Sequence, residues 1–154
     1  MNNSDPSFAL APQDKLKVFI SSTIGECAEE RTHAAAGVRA TNHEPILFEK
    51  LGARPYAPRD VYLSRLRQSQ RVVAIYKKQY GYIDIDGGMD ISGLEDEYRN
   101  TRSFGLPILV FVNKDGKDRD PRLQALIDEV MSSDANATVA FYEHPTELND
   151  LVKD

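Results

Sequence analysis

The stretch Pro107-Ile108-Leu109-Val110-Phe111-Val112 is apolar at every position and is the strongest indication of the fold. A half-exposed strand alternates apolar and polar side chains, whereas an unbroken apolar run predicts a strand covered on both faces, as in a parallel sheet. On either side of it, shorter β-branched and aromatic runs predict four more strands: 16–20, 45–48, 72–76 and 138–142.

Helical patterns separate these strands. Helices are predicted over 26–40, from residue 60 towards the third strand, and over 95–104, 120–131 and 146–152. Thr23 and Glu26 have the spacing of a capping box for the first helix, and Asp60 is expected to cap the second. The second helix is expected to bury one face, made of Val61, Leu63, Leu66 and Arg67.

Five alternations of strand and helix predict right-handed crossovers and one parallel sheet covered by helices on both faces. We therefore expect an α/β, doubly wound, flavodoxin-like fold with five parallel strands in the order 2-1-3-4-5. Met1 to Asp14 carries little apolar surface and is expected to be a flexible leader, with 15–154 forming one domain. In such folds ligands bind beyond the carboxyl ends of the strands, where the strand order reverses.

The composition excludes several classes. With 41% hydrophobic and 28% charged residues, the chain is typical of a globular protein, and no apolar run approaches the ~20 residues of a membrane span. Cys27 is the only cysteine, and the histidines at 33, 43 and 144 lack metal-ligand spacing, so neither a disulfide nor a metal site is expected. These features predict a cytoplasmic domain. A net charge of -5 argues against nucleic-acid binding.

The charges are unevenly distributed along the chain. Residues 54–78 contain seven basic residues and one acid, whereas 84–97 contain six acids and no basic residue. Two interpretations remain open: the stretches are two solvated faces of one domain, or they are complementary patches for self-assembly.

Polar residues follow the first and third strands. Ser21, Ser22 and Thr23 offer hydroxyls and amides before a helix, which suits either phosphate binding or plain helix capping. Tyr80 and Tyr82 are candidates to stack on a base, although tyrosines in such loops also serve to hold the loop in place. Cys27 has no evident His partner, so a thiol nucleophile is not expected.

Several short motifs resemble a TIR-like family catalogued as domain of unknown function 4062. The motifs are Val18-Phe19-Ile20-Ser21-Ser22-Thr23, Glu29-Glu30-Arg31, Tyr80-Gly81, Ser92 with Glu95 and Glu97-Tyr98, and Gly105-Leu106-Pro107-Ile108-Leu109-Val110-Phe111. The resemblance runs from about Lys15 to Lys153. It implies the amino-terminal domain of a longer protein, often a STAND-type ATPase.

That family in turn resembles TIR domains and nucleoside 2-deoxyribosyltransferases, which use a glutamate to hold a ribose. Glu97, Thr101 and Gly105 fit the glutamate frame of enzymatic TIR domains, while Leu94 stands where those often carry Trp or Cys. The resemblance implies that Glu97 is the catalytic, ribose-binding carboxylate of an NAD nucleosidase, with no cofactor required. Glu95 is interpreted as a first-turn acid and Glu30-Arg31 as a structural ion pair.

The remaining candidate nucleotide-binding residues are Ser21, Ser22, Thr23, Tyr80, Tyr82 and Ser92. The loop Leu51–Pro58 occupies the place of the TIR loop after strand two and is expected to mediate self-association. A non-catalytic interaction module of a larger signalling or defence protein therefore remains the alternative to an enzyme, because the fold alone does not choose between them.

Overall fold

The computed structural model describes residues 15–48, 57–133 and 136–153, and the predicted leader and residues 51–56 of the predicted association loop lie outside them. Five strands form one sheet in the order β2-β1-β3-β4-β5, and every neighbouring pair is parallel. The strands are β1 Lys17–Ser22, β2 Glu44–Ile46, β3 Arg71–Tyr76, β4 Ile108–Asn113 and β5 Ala137–Tyr142. The predicted fold class and strand order are confirmed.

Helices alternate with these strands. They are α1 Ala28–Ala40, α2 Arg59–Arg67, α3 Gly93–Ser103, α4 Pro121–Ser133 and, after a 3-10 turn over Pro145–Glu147, the short α5 Leu148–Leu151. The predicted closing helix over 146–152 is therefore split between two helix types. No helix in the described part of the chain is long and apolar enough to cross a membrane.

Two predicted helix starts were wrong. The N-cap of α1 is Cys27, whose side chain caps no helix amide. The predicted capping box of Thr23 and Glu26 does not form, because the Thr23 hydroxyl bonds the Glu26 side chain and not a helix amide. Pro58, not Asp60, is the N-cap of α2, since the fixed φ of proline suits the extended residue before a helix.

The predicted buried face of α2 was also wrong in part. Tyr62, Leu63 and Leu66 are buried, whereas Val61 is 37% exposed and Arg67 is exposed over the ring of Phe104. Tyr62 lies four residues before Leu66, on the same side of the helix, so an aromatic side chain replaces the expected valine.

Helix α3 begins two residues earlier than predicted. The Ser92 hydroxyl accepts a 3.1 Å hydrogen bond from the amide of Glu95, which makes Ser92 the N-cap. This start places Glu95 and Asp96 in the first turn, where the helix dipole favours acids.

The sheet divides the core into two layers, because successive strand residues point to opposite faces. Phe19, Ala74 and Val110 pack with α2, α3 and α4, whereas Ile20 and Phe111 pack with α1 and α5. The same alternation decides where β1 aims its last polar residues. Ser21 follows Phe19 towards the α3 side, and Ser22 follows Ile20 towards the α1 side.

Candidate functional site

A cavity of about 950 Å³ lies at the carboxyl edge of the sheet, where the strand order reverses between β1 and β3. Its walls come from the loops after β1, β3 and β4 and from the first turns of α3. Among its lining residues are Ser22, Thr23, Tyr80, Tyr82 and Glu97. These are five of the seven residues singled out from the sequence. Ser21 lies beneath the wall, and Ser92 is the buried N-cap of α3.

Glu97 and Ser21 meet inside this edge of the sheet. The Ser21 hydroxyl donates a 2.6 Å hydrogen bond to Oε1 of Glu97. Ser21 is 2% exposed, whereas Glu97 is only partly buried because its side chain also lines the cavity. The arrangement holds one carboxylate oxygen in place beside a space large enough for a small molecule.

Burial raises the pKa of Glu97 to about 8, against the opposing effects of the Ser21 hydrogen bond and the positive charge of Arg31. Asp96 raises it further. At neutral pH the protonated form of the Glu97 side chain is therefore favoured over the ionised form. A positively charged ligand in the cavity favours the ionised form, so the carboxylate is suited to a cationic group.

Arg31 is a buried site residue whose sequence context predicted only an ion pair. It is 3% exposed, it lines the cavity, and its guanidinium donates to the Ser22 hydroxyl at 3.1 Å and to the carbonyl of Phe48. Arg31 thereby ties α1 to the ends of β1 and of the segment after β2. Its neighbour Glu30 has a different ion-pair partner, the Lys77 ammonium group at 3.0 Å.

Tyr80 joins the loop after β3 to the start of α3. Its hydroxyl donates to Oε1 of Glu95 at 2.6 Å and accepts from the amide of Ser92 at 3.3 Å. Glu95 also pairs with Arg99 at 3.0 Å. The Glu95 carboxylate thus binds Tyr80 and Arg99, whereas the side chain of Glu97, about half a helical turn further on, lines the cavity.

The Tyr80 ring also forms part of the cavity wall. It is 4% exposed, and the Arg122 guanidinium carbon lies 4.6 Å from its ring centroid. Tyr82, in contrast, is 48% exposed. Gly81 between them has φ +101°, and a Cβ there would lie 3.6 Å from Thr23 Cγ2 and 3.7 Å from Leu94 Cβ. Only glycine adopts this conformation readily, so it brings the loop close to both neighbouring elements.

Tyr62 is a cavity residue that the sequence pattern did not reveal. Its hydroxyl donates to Oδ2 of Asp96 at 2.5 Å, and Arg59 pairs with the same carboxylate at 2.8 Å. Arg59 belongs to the basic stretch and Asp96 to the acidic stretch, so part of this opposite charge is paired within one molecule. Tyr62 was missed because an apolar helix face and an aromatic site wall give the same sequence signal.

Arg119 and Arg122 line the cavity from the segment after β4, which the sequence reading did not consider. Both residues follow the carboxyl end of β4, and ligands in such folds bind beyond the carboxyl ends of the strands. Their position after β4 was therefore the sequence feature that could have identified them.

Cys27 lies behind the cavity and is not one of its lining residues. It is fully buried, and burial raises the pKa of its thiol to about 12. The nearby acid Glu30 is 1% exposed and accepts a 2.9 Å hydrogen bond from the Tyr142 hydroxyl. Within residues 15–48, 57–133 and 136–153, no group of three or more His, Cys, Asp or Glu side chains is arranged to hold a metal ion.

The fold is similar to that of solved flavoproteins. A diflavin flavoprotein A3 from Nostoc sp. matches with a TM-score of 0.53 and 10% identity, over 90% of this chain and 88% of that one. The H90D mutant of a flavo di-iron protein from Thermotoga maritima matches with a TM-score of 0.53 and 10% identity, over 88% of this chain and 33% of that one. At this identity the likeness shows the fold alone.

The sequence comparisons identify a family. None of the curated proteins matches the sequence significantly. The profile of a domain of unknown function, DUF4062, matches residues 17–154, which is most of the chain. The chain therefore belongs to the DUF4062 family.

Proposed function

We propose that the cavity binds a nicotinamide nucleotide such as NAD, and that the protein hydrolyses its N-glycosidic bond. The observation that carries the proposal is Glu97, a carboxylate held by Ser21 inside a cavity at the carboxyl edge of the sheet. In this proposal Glu97 binds the ribose hydroxyls on the nicotinamide side.

The reaction needs a negative charge beside the ribose. When the bond between C1′ and the pyridinium nitrogen breaks, its electron pair leaves with nicotinamide, which becomes neutral, and the ribose takes on oxocarbenium character. Water then attacks C1′ and loses a proton, so the products are nicotinamide and ADP-ribose. An ionised Glu97 stabilises the positive charge at the ribose as it develops.

The raised pKa of Glu97 is consistent with this role. The nicotinamide ring of NAD is positively charged, and its approach favours ionisation of a carboxyl group whose pKa burial has raised to about 8. Tyr62, Tyr80 and Leu94 supply the aromatic and apolar wall that a ring requires. Leu94, which stands where the enzymatic TIR domains that the sequence resembles often carry Trp or Cys, supplies apolar contact without an aromatic face.

Nicotinamide release from NAD tests the proposal directly. The Glu97→Gln variant keeps the shape of the side chain, so the fold and much of the nucleotide affinity should persist while turnover falls by about a hundredfold or more. Glu29→Gln is the matched control, because Glu29 is exposed on α1. Glu95→Gln is a poor control, since Glu95 accepts from Tyr80 and Arg99. Equal turnover in Glu97→Gln and wild type, or no release by concentrated protein, would contradict the proposal.

A second candidate function is an interaction module without catalysis. Exposed apolar side chains favour it: in the acidic loop after β3, Ile85 is 74% exposed and Tyr82 is 48% exposed. Large apolar groups surrounded by charge mark protein contact sites.

Light scattering at low and high salt tests self-association through the loop Leu51–Pro58. Arg54→Glu should weaken any oligomer, whereas Arg59 is unsuitable for charge reversal because it pairs with Asp96.

A further inference from the structure

The loop after β3 presents two successive backbone amides to a carboxylate of the protein itself. The Lys78 amide donates to Oε2 of Glu26 at 3.0 Å, and the Gln79 amide donates to the same oxygen at 2.7 Å. The Thr23 hydroxyl adds a third donor at 3.2 Å. All four residues line the cavity. Convergent main-chain amides of this kind also bind phosphate oxygens.

Arg119 lies on the other side of the same loop, because it binds the carbonyl of the Lys77–Lys78 peptide whose amide faces Glu26. Arg119 donates to three neutral oxygens: the carbonyls of Lys77 and Asn113, at 2.7 and 2.6 Å, and Oε1 of Gln124 at 2.9 Å. Within the described residues these contacts use three of its five N–H groups and leave its charge without a carboxylate partner. A guanidinium fixed by neutral oxygens at a cavity wall favours an anion there.

The two other cations of this wall are both paired with acids. The Lys78 ammonium group lies 3.2 Å from a carboxylate oxygen of Asp115, whose side chain is 63% exposed. Arg122 pairs with Asp120 at 2.8 Å, and the Arg122 side chain is 58% exposed. Exposed ion pairs contribute little to stability, so Lys78 is able to exchange Asp115 for a ligand anion at little cost. Arg122 stays in place, because the Asp120 side chain is 26% exposed and the guanidinium also lies over the ring of Tyr80.

We propose that the Lys78 and Gln79 amides, together with the Thr23 hydroxyl and the Lys78 ammonium group, form a phosphoryl-binding site. The Glu26 carboxylate competes for this site from within the protein. A ligand phosphate displaces Glu26, which lies on the connection between β1 and α1. A Cβ added to the neighbouring Gly25 would meet no atom within 4 Å, so the loop has open space beside it. The ligand class is a phosphorylated or diphosphate-bearing molecule.

This inference concerns binding and does not require NAD cleavage. It deepens the proposed function, because a nicotinamide dinucleotide carries a diphosphate that would occupy this site while its ribose lies against Glu97. The two proposals depend on different residues and different measurements. Nicotinamide release reports on Glu97, whereas the affinity for a phosphate ligand without a nicotinamide group reports on Glu26.

The test is the affinity for ADP and for inorganic pyrophosphate, measured by calorimetry on the full chain, with adenosine as the phosphate-free probe. Glu26→Ala removes the internal competitor and should tighten binding of both phosphate ligands by about tenfold. Glu26→Gln should tighten binding less than Glu26→Ala, because the amide oxygen of the glutamine still accepts from the loop amides and competes, although more weakly than a carboxylate. Lys78→Met should weaken binding. Adenosine affinity should be the same in all variants.

Comparing ADP with pyrophosphate shows which class of ligand the site binds. Tightening for both ligands supports a general diphosphate site, and tightening for ADP alone supports a nucleotide site. Glu29→Ala, three residues further on and exposed, should leave every affinity unchanged. If Glu26→Ala leaves ADP and pyrophosphate affinity unchanged or weaker, or changes adenosine binding equally, Glu26 is only a brace between loops and the proposal is overturned. Thermal denaturation of Glu26→Ala and Glu26→Gln checks that the fold survives in both variants.

Discussion

The Ser21 hydroxyl and the Glu97 carboxylate connect β1 to α3 through a 2.6 Å hydrogen bond between residues 76 positions apart. This bond opposes the effect of burial on the pKa of Glu97, because it stabilises the ionised form. The relationship makes Ser21 a positioning residue for Glu97 and gives it a measurable effect.

Ser21→Ala should raise the pKa of Glu97 above its wild-type value, since the donor that favours the carboxylate is lost. The carboxyl carbon resonance of Glu97, assigned by comparison with Glu97→Gln, reports the titration in labelled protein. Ser64→Ala, on the exposed face of α2, should leave it unchanged. An identical titration midpoint in Ser21→Ala and wild type would show that the hydrogen bond does not control the charge of Glu97.

Glu97→Gln should stabilise the protein, and increasingly so as the pH rises. The pKa of Glu97 is about 8 in the folded state and ~4.3 in the unfolded state, so between these values the folded state binds the extra proton. Stability from the neutral carboxyl group is complete below about pH 4 and is lost as the pH rises through about 8. The variant avoids this loss and should gain roughly 2–4 kcal/mol at pH 9 relative to wild type.

Urea denaturation at several pH values between 4 and 9 measures this difference. Glu29→Gln should show a constant offset from wild type, because Glu29 is exposed on α1. A constant offset for Glu97→Gln as well would mean that Glu97 titrates alike in both states.

Tyr80→Phe should destabilise the protein by about 1–3 kcal/mol, because it removes a donor to the Glu95 carboxylate and an acceptor for the buried Ser92 amide. Tyr82→Phe is the matched control. Its side chain is 48% exposed, so the change should stay within about 0.5 kcal/mol. Equal thermal midpoints for the two variants would indicate that the Tyr80 hydroxyl adds nothing to the start of α3.

The fold was predictable because it rests on local patterns. The apolar run at 108–112 and the four shorter runs each carry their own signal, and alternation with helices then restricts the sheet to a parallel one. Helix starts were less predictable, because several residues near each start are able to cap it. At α1 the Thr23 hydroxyl bonds Glu26, and at α2 the cap is Pro58.

The site was predictable only in its polar residues at strand ends. Ser22, Thr23, Tyr80 and Glu97 come together at one cavity because parallel strands bring their carboxyl ends to one edge. Tyr62 reaches it from α2, whose pattern looks purely structural, and Arg119 reaches it from the segment between β4 and α4. Their roles depend on long-range contacts, such as that between the Tyr62 hydroxyl and Asp96, which no local pattern encodes.

NAD hydrolysis should depend on pH through the charge of Glu97. If the ionised carboxylate of Glu97 is the active form, kcat/KM should rise with pH through about 8 and level off above it, because kcat/KM follows the free enzyme. Ser21→Ala should move this rise to higher pH, in the same direction as the titration of the carboxyl group. In kcat the rise should lie at lower pH, since the bound cationic ring favours the carboxylate. A rate that falls as the pH rises through 8 would instead assign Glu97 the role of a proton donor and contradict the electrostatic mechanism.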